Sequence, residues 1–171
     1  MSLNFSMPVS IQQCSQDDVQ RLYHLALTGN HQVEPSYFET ALGEQDDGKR
    51  VVILALVNGQ LAGYVHLNFF PQYPPFLRLA IPEVQDLFVH PDFRGQGIGE
   101  RLVRACEDEV LQRGKKDIGI GVGVSGAFGT AQRLYARLGY LPDGAGVVFE
   151  REYVRDGEVR PVDGRLCLML L

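Results

Sequence analysis

The chain has 171 residues, 45% of them hydrophobic and 22% charged, with a net charge of −5. Those proportions suit one globular domain over residues 1–171, long enough to bury about two thirds of its unfolded surface. They argue against nucleic acid as the main partner, which needs clustered Lys and Arg, and no apolar run nears the ~20 residues that cross a bilayer.

The opening MSLNFSMPVS lacks a basic region followed by a long apolar one, so no secretory leader is expected. Its "MSL" reads as an addition ahead of a native start at Met7. Ser15, with Asp18 three residues on, reads as a capping box for a helix that places Val19, Leu22, Tyr23 and Ala26 on one face. EPSYFETALG predicts a second, short helix, with Pro35 near its start and Gly43 just past its end. RVVILALVNGQLAGYVHLNFF predicts a hairpin of two β-rich runs turning at Asn58-Gly59. Three prolines in PQYPPF break the second run. EVQDLFV predicts a strand, and a helix follows from about Gly97 to Gln112, with Ile98, Leu102, Ala105 and Cys106 inward. DIGIGVGV is a further strand, and FGTAQRLYARLGY a helix closing at Gly139. GVVFEREYV and RLCLMLL are the last two strands. The order is mixed α/β around a central sheet.

Cys14, Cys106 and Cys167 are odd in number and far apart, so a reducing cytoplasm suits the chain better than a disulfide framework. His24, His31, His66 and His90 show no metal-ligand spacing, and no metal is expected.

VHPDFRGQGIGERL sets Arg94, Gly95, Gly97 and Gly99 at a strand-to-helix junction. Glycine costs about 1 kcal/mol against alanine in a helix, so these positions need bare backbone. A helix N-terminus offers unpaired N–H groups and the positive end of the dipole, and glycines expose those groups to an anion. Arg94 adds a fixed positive charge. The stretch therefore asks for a phosphate-bearing ligand. No Lys-Ser or Lys-Thr follows, which excludes a P-loop. GVGVSG from Gly121 spells a dinucleotide fingerprint, but its helix is short and Pro142 breaks any strand that would carry Asp143 to a ribose. Gly119, Gly121 and Gly123 instead leave one strand face bare, where a backbone or slender ligand comes close.

VQDLFVHPDFRGQGIGERLV resembles the acetyl-coenzyme A signature of the GNAT N-acetyltransferases, with the Q/R-x-x-G-x-G/A core at Arg94-Gly95-Gln96-Gly97-Ile98-Gly99. AQRLYARLGYLPDG resembles their second signature. The resemblance implies a mostly antiparallel mixed sheet of about six to seven strands, with a splayed central pair and about four flanking helices. It implies acetyl-CoA as cosubstrate, its pyrophosphate on the N–H groups from Arg94 through Gly95, Gln96, Gly97, Ile98 and Gly99 to Glu100. Leu87, Phe88 and Val89 match the strand that pairs with the pantetheine arm, and an N–H near Phe88 matches the oxyanion donor. Tyr135 matches the general acid toward the leaving thiolate.

Where relatives carry a glutamate base this chain has Gln85, so Glu83 is the candidate on the same face, with Asp86, His90 and a water chain as alternatives. A bulge in this strand, also implied, would change which side chains face the acetyl group. Phe69, Phe70, Tyr73 and Phe76 line an acceptor pocket, cover the sheet or form a homodimer contact. The expected function is acetyl transfer to a primary amine of a small molecule. The alternatives are a protein or peptide amine as acceptor, and a coenzyme A-binding regulatory or sensor module without turnover.

Overall fold

The computed structural model describes residues 8–171, so the reading of "MSL" and Met7 lies outside the described residues. In chain order the elements are β1 (Val9–Gln13), α1 (Val19–Thr28), α2 (Tyr37–Asp46), β2 (Arg50–Val57), β3 (Gln60–Asn68), α3 (Pro74–Leu79) and β4 (Glu83–Val89). They continue with α4 (Ile98–Gln112), β5 (Gly119–Gly123), α5 (Gly129–Leu138), β6 (Pro142–Phe149), β7 (Glu152–Tyr153) and β8 (Leu166–Leu170). Among the described residues that is eight strands and five helices, one more helix and at least one more strand than expected. The strand order is β1-β2-β3-β4-β5-β8-β6-β7, with β4 and β5 parallel and antiparallel pairing at β1–β2, β5–β8, β8–β6 and β6–β7. No helix among the described residues is long and apolar enough to cross a membrane.

The backbone groups into two compact units. One runs up to Leu67 and takes in Asp86–Asp108; the other holds Asn68–Gln85 and Glu109–Leu171. Strand β4 passes from the second to the first between Gln85 and Asp86.

In the first unit, Asn58 and Gly59 both adopt left-handed φ (49° and 79°), the conformation a two-residue hairpin turn needs. β2 is apolar and buried along nearly its whole length, because it is covered on both faces. The core beneath α1 and α2 gathers Leu22, Leu25, Phe38, Leu42, Leu54, Tyr64 and Phe88. Ser15 and Asp18 do form a capping box, Ser15 N–H donating to Asp18 Oδ2 at 3.0 Å, but the turn it caps is a 3₁₀ turn over Gln16–Asp18 that leads into α1. Gly43 does not end the second helix. α2 runs on to Asp46, and the left-handed glycine past its end is Gly48 (φ 72°). β1 pairs with β2 from Val9↔Val57 to Gln13↔Ile53 and carries no strong alternation of its own. Gly63 is a required glycine: a Cβ there would lie 2.5 Å from the Phe88 carbonyl oxygen and 3.2 Å from Val89 Cα.

In the second unit, the proline-rich stretch is not a plain loop. Pro74 and Pro75 start α3, where a missing N–H costs nothing. Tyr73 and Phe76 are core, packed edge to face at 4.9 Å. Arg113 lies 4.1 Å over the Phe69 ring, and Phe70 is exposed. The loop aromatics therefore mainly cover the sheet. The stretch read as one strand from Gly146 to Val154 is a hairpin, because Glu150 and Arg151 turn it with left-handed φ (51° and 69°). Pro142 does not break a strand; it is the first residue of β6. Asp143, on that strand, accepts a hydrogen bond from the Tyr73 hydroxyl at 2.6 Å. Gly139 (φ 98°) closes α5 as expected.

His66 is fully buried on β3. Arg50 Nη1 lies 3.1 Å from its Nδ1, and a guanidinium only donates, so Nδ1 is the acceptor and the neutral ring carries its proton on Nε2. Burial, reinforced by Arg50 and opposed by Asp86, pushes its pKa down to about 4. The unfolded chain binds that proton more readily, so stability contributed by neutral His66 is present above about pH 6.5 and lost as pH falls toward 4.

Two outcomes are expected. Gly63→Ala forces β4 away at Phe88 and Val89 and destabilises by about 1–3 kcal/mol, measured by urea unfolding. His66→Gln flattens the pH dependence of unfolding between pH 6.5 and 4 by up to about 3 kcal/mol relative to the parent. Parallel curves for the two proteins would remove His66 as the cause.

Candidate active site

The glycine loop lies in the first unit. Gly95 and Gly97 both have φ of 76°, a left-handed conformation that L side chains rarely adopt, and a Cβ at either would meet nothing within 4 Å. Left-handed residues alternating with ordinary ones turn successive N–H groups to one side, a concavity suited to an anion. The first bond of α4 back to the loop is Arg101 N–H to Gly97 O, 3.1 Å. The N–H groups of Ile98 and Gly99 precede it, in the first turn, where a helix leaves its donors without carbonyls. Ile98 anchors this end, its side chain 1% exposed. Gln96 is exposed in the loop. The residues present thus fit a pyrophosphate: open space, bare backbone and a 15-residue helix behind it.

Arg94 plays a part that the sequence does not reveal. Its Nε donates to Val89 O at 2.9 Å, tying the loop to the end of β4. Leu87 and Val89 are half-buried there, while the Phe88 ring goes into the core, stacked on His31 at 4.7 Å. His90 follows, nearly buried, its Nδ1 accepting from Asp92 N–H at 3.3 Å.

Asp86 takes a left-handed φ of 52° in the middle of β4. A residue in that conformation kinks a strand and re-aims its side chains. The Asp86 carboxylate is 48% exposed and accepts from the Tyr37 hydroxyl at 2.5 Å. Its Oδ2 lies 3.8 Å from His66 Nδ1. A cavity of about 740 Å³ opens beside it, between α1, the start of α2 and β4.

In the second unit, the β4–β5 pairing consists of Glu83↔Gly119 and Val84↔Ile120. Glu83 is 0% exposed. Its Oε1 is 2.6 Å from Arg151 Nη2, and its Oε2 accepts from Gln85 Nε2 at 3.1 Å. Glu83 and Gln85 therefore share a face, as a regular strand requires. Gln85 also accepts from Asn68 Nδ2 at 3.4 Å. The bare face of β5 is filled by the chain's own side chains. The Phe76 ring stands over Gly119 and the Phe128 ring over Gly123, each where a Cβ would collide. At Gly121 a Cβ would lie 3.1 Å from Arg151 Nη1 and 3.2 Å from Met169 Sδ. Absence of a side chain at Gly121 is what leaves Arg151 room to reach Glu83.

Tyr135 is buried on α5, with its ring 6.2 Å from that of Tyr140. The residues that sequence reasoning missed are Tyr37, His66 and Arg151. They reach their partners from the start of a helix, a neighbouring strand and a turn respectively, and no local spacing announces it.

A model of the Acetyltransferase (GNAT) family matches residues 17–140. An uncharacterized N-acetyltransferase of Archaeoglobus fulgidus is 34% identical over 103 residues, covering 59% of this chain and 65% of that protein. The aminoalkylphosphonate N-acetyltransferase of Salmonella typhimurium is 34% identical over 89 residues, covering 51% and 54%. The chain thus spans less than two thirds of the length of the curated relatives it matches. Among solved structures, the ribosomal-protein-S18-alanine N-acetyltransferase of Escherichia coli superposes with a TM-score of 0.68 at 21% identity, covering 95% of this chain and 92% of that one. The yncA protein of Salmonella typhimurium, a putative acetyltransferase solved with acetyl-CoA, gives 0.66 at 20% identity, covering 95% and 91%. These two share the fold, and the family match extends from α1 through both signatures: the chain belongs to the GNAT acetyltransferase family.

Proposed function

We propose that the chain transfers the acetyl group of acetyl-CoA to a primary amine of a small molecule, by direct attack within a ternary complex. The observation that carries this reading is the loop from Arg94 to Glu100, with two left-handed glycines and open space at the start of α4. When bound, acetyl-CoA supplies an acetyl group activated as a thioester. The loop N–H groups hold its pyrophosphate, and the backbone of Leu87, Phe88 and Val89 holds the pantetheine arm. The Phe88 N–H donates toward the carbonyl oxygen as negative charge grows there. Tyr135 gives its hydroxyl proton to the departing sulfur, a modest demand for a thiol.

Glu83 is a less suitable proton acceptor than its position in the sequence suggests. Its carboxylate is ion-paired with Arg151 at 2.6 Å, and protonating it would leave a guanidinium without its counter-charge. Glu83 therefore serves the reading as a fixed polar support, and the amine's proton leaves through water. The size of the first unit's cavity supports a small acceptor over a protein chain, since about 740 Å³ falls in the range of small-molecule sites.

Calorimetric titration with coenzyme A tests the cofactor site. Gly97→Asp places a negative charge where phosphate belongs and weakens binding on the order of 100-fold; equal affinity would put the site elsewhere. Tyr135→Phe keeps coenzyme A affinity and lowers kcat on the order of 100-fold in an acetyl-CoA turnover assay with an active amine. Binding without turnover of any amine by the parent protein would favour the sensor reading.

A further inference from the structure

We propose that the cavity between α1, α2 and β4 is the acceptor pocket, and that Asp86 receives the acceptor's ammonium there. It selects amines that carry an apolar body and no anionic group. The proposal rests on the acetyltransferase reading above and narrows its substrate class.

The cavity holds about 740 Å³. Its walls include Tyr23, His31, Val33 and Tyr37, and its charged groups are Glu34 and Asp86. Among the described residues no lysine or arginine lines it. Partial burial holds His31 below the usual imidazole range, with Asp86 opposing, so at neutral pH this ring adds no cation. An incoming ligand meets apolar and aromatic surface together with two carboxylates. A carboxylate or phosphate on that ligand would have no counter-charge and would face like charge instead.

Asp86 is the better placed of the two acids. Its single hydrogen-bond donor among the described side chains is a phenol, Tyr37, at 2.5 Å. The nearest ring nitrogen, His66 Nδ1 at 3.8 Å, is itself the acceptor of Arg50 and carries no proton. The groups that touch the Asp86 carboxylate are thus neutral, and about half of its surface stays open to a ligand. Tyr37 is held in turn, stacked on His66 with ring centres 5.4 Å apart and set edge-on to Phe38 at 5.0 Å. The left-handed φ of 52° is costly for most side chains, and a strained backbone of this kind persists where the surroundings hold it. Phe88, whose N–H faces the thioester in the proposed mechanism, follows two residues later on the same strand segment.

Steady-state acetyl transfer with 2-phenylethylamine and with phenylalanine tests this directly. The two share an amine and an aromatic body and differ by a carboxylate. Phenylethylamine should be preferred in kcat/KM on the order of 100-fold. Asp86→Asn tolerates the left-handed backbone, so the fold should persist, with an unchanged melting temperature as the control. It should raise the KM for phenylethylamine on the order of 100-fold while leaving acetyl-CoA affinity within about twofold. Tyr37→Phe removes only the positioning hydroxyl and should raise the same KM about tenfold, and Asp86→Glu should recover part of the Asp86→Asn loss. Equal use of phenylalanine, turnover of neither amine, or an unchanged KM in Asp86→Asn overturns the proposal. If acetyl-CoA binds and another amine, such as a peptide N-terminus, is acetylated instead, the acetyltransferase reading stands and only this proposal falls. If acetyl-CoA does not bind, both fall.

Discussion

The backbone of β4 at Asp86 is the constraint on which the rest depends. One strand has to serve two sets of neighbours. Before Asp86 it pairs in parallel with β5 through Glu83 and Val84. After Asp86 it runs so close to β3 that only a glycine fits at position 63. A regular strand alternates its side chains from end to end. A left-handed residue breaks that alternation, sends Phe88 into the core and turns a carboxylate toward a cavity. Aspartate is among the few non-glycine residues that take this conformation at moderate cost.

The second constraint is the period-two glycine pattern of β5. Bare positions in a strand weaken it unless something packs against the exposed backbone. Here aromatic rings cover two of the three and an arginine passes over the third. That arginine comes from the hairpin turn between β6 and β7 and neutralises a glutamate with no exposure to solvent. A buried carboxylate is costly unless paired and hydrogen-bonded, and Glu83 has both Arg151 and Gln85. The first acidic residue of the strand next to the signature thus becomes part of a packed network.

The anion-binding loop is built by different means. It needs no buried charge. Two glycines supply left-handed backbone, the helix supplies orphan donors and dipole, and Arg94 ties the loop to the carbonyl of Val89. The fit of this loop to an anion therefore lies in main chain that is specified locally. The cavity beside Asp86 is instead lined by side chains from α1, α2, the loop between them and β4.

This difference separates what could be read from the sequence and what could not. The hairpin at Asn58-Gly59, the strand at 83–89, the helix behind the glycines and the close of α5 at Gly139 were all legible, because each rests on backbone preferences within a few residues. The family followed for the same reason, since its signatures are local. β1 was not legible, since a short strand is stabilised mainly by the partner it pairs with. Nor was α2 beyond Gly43, where neighbouring packing overrides the weak preference of one glycine. The Phe76 ring over Gly119, the Arg151 ion pair that holds Glu83 and the setting of Asp86 between Tyr37 and His66 all join residues far apart in the chain, 49 positions for Tyr37 and Asp86. Spacing along the chain carries no information about such contacts. Sequence by itself determined the family and the glycine loop ahead of α4, since both are local. Tertiary structure alone decided which carboxylate meets an arginine and which lies beside a cavity with a phenol as its donor, because that depends on side chains brought in from distant helices, strands and turns.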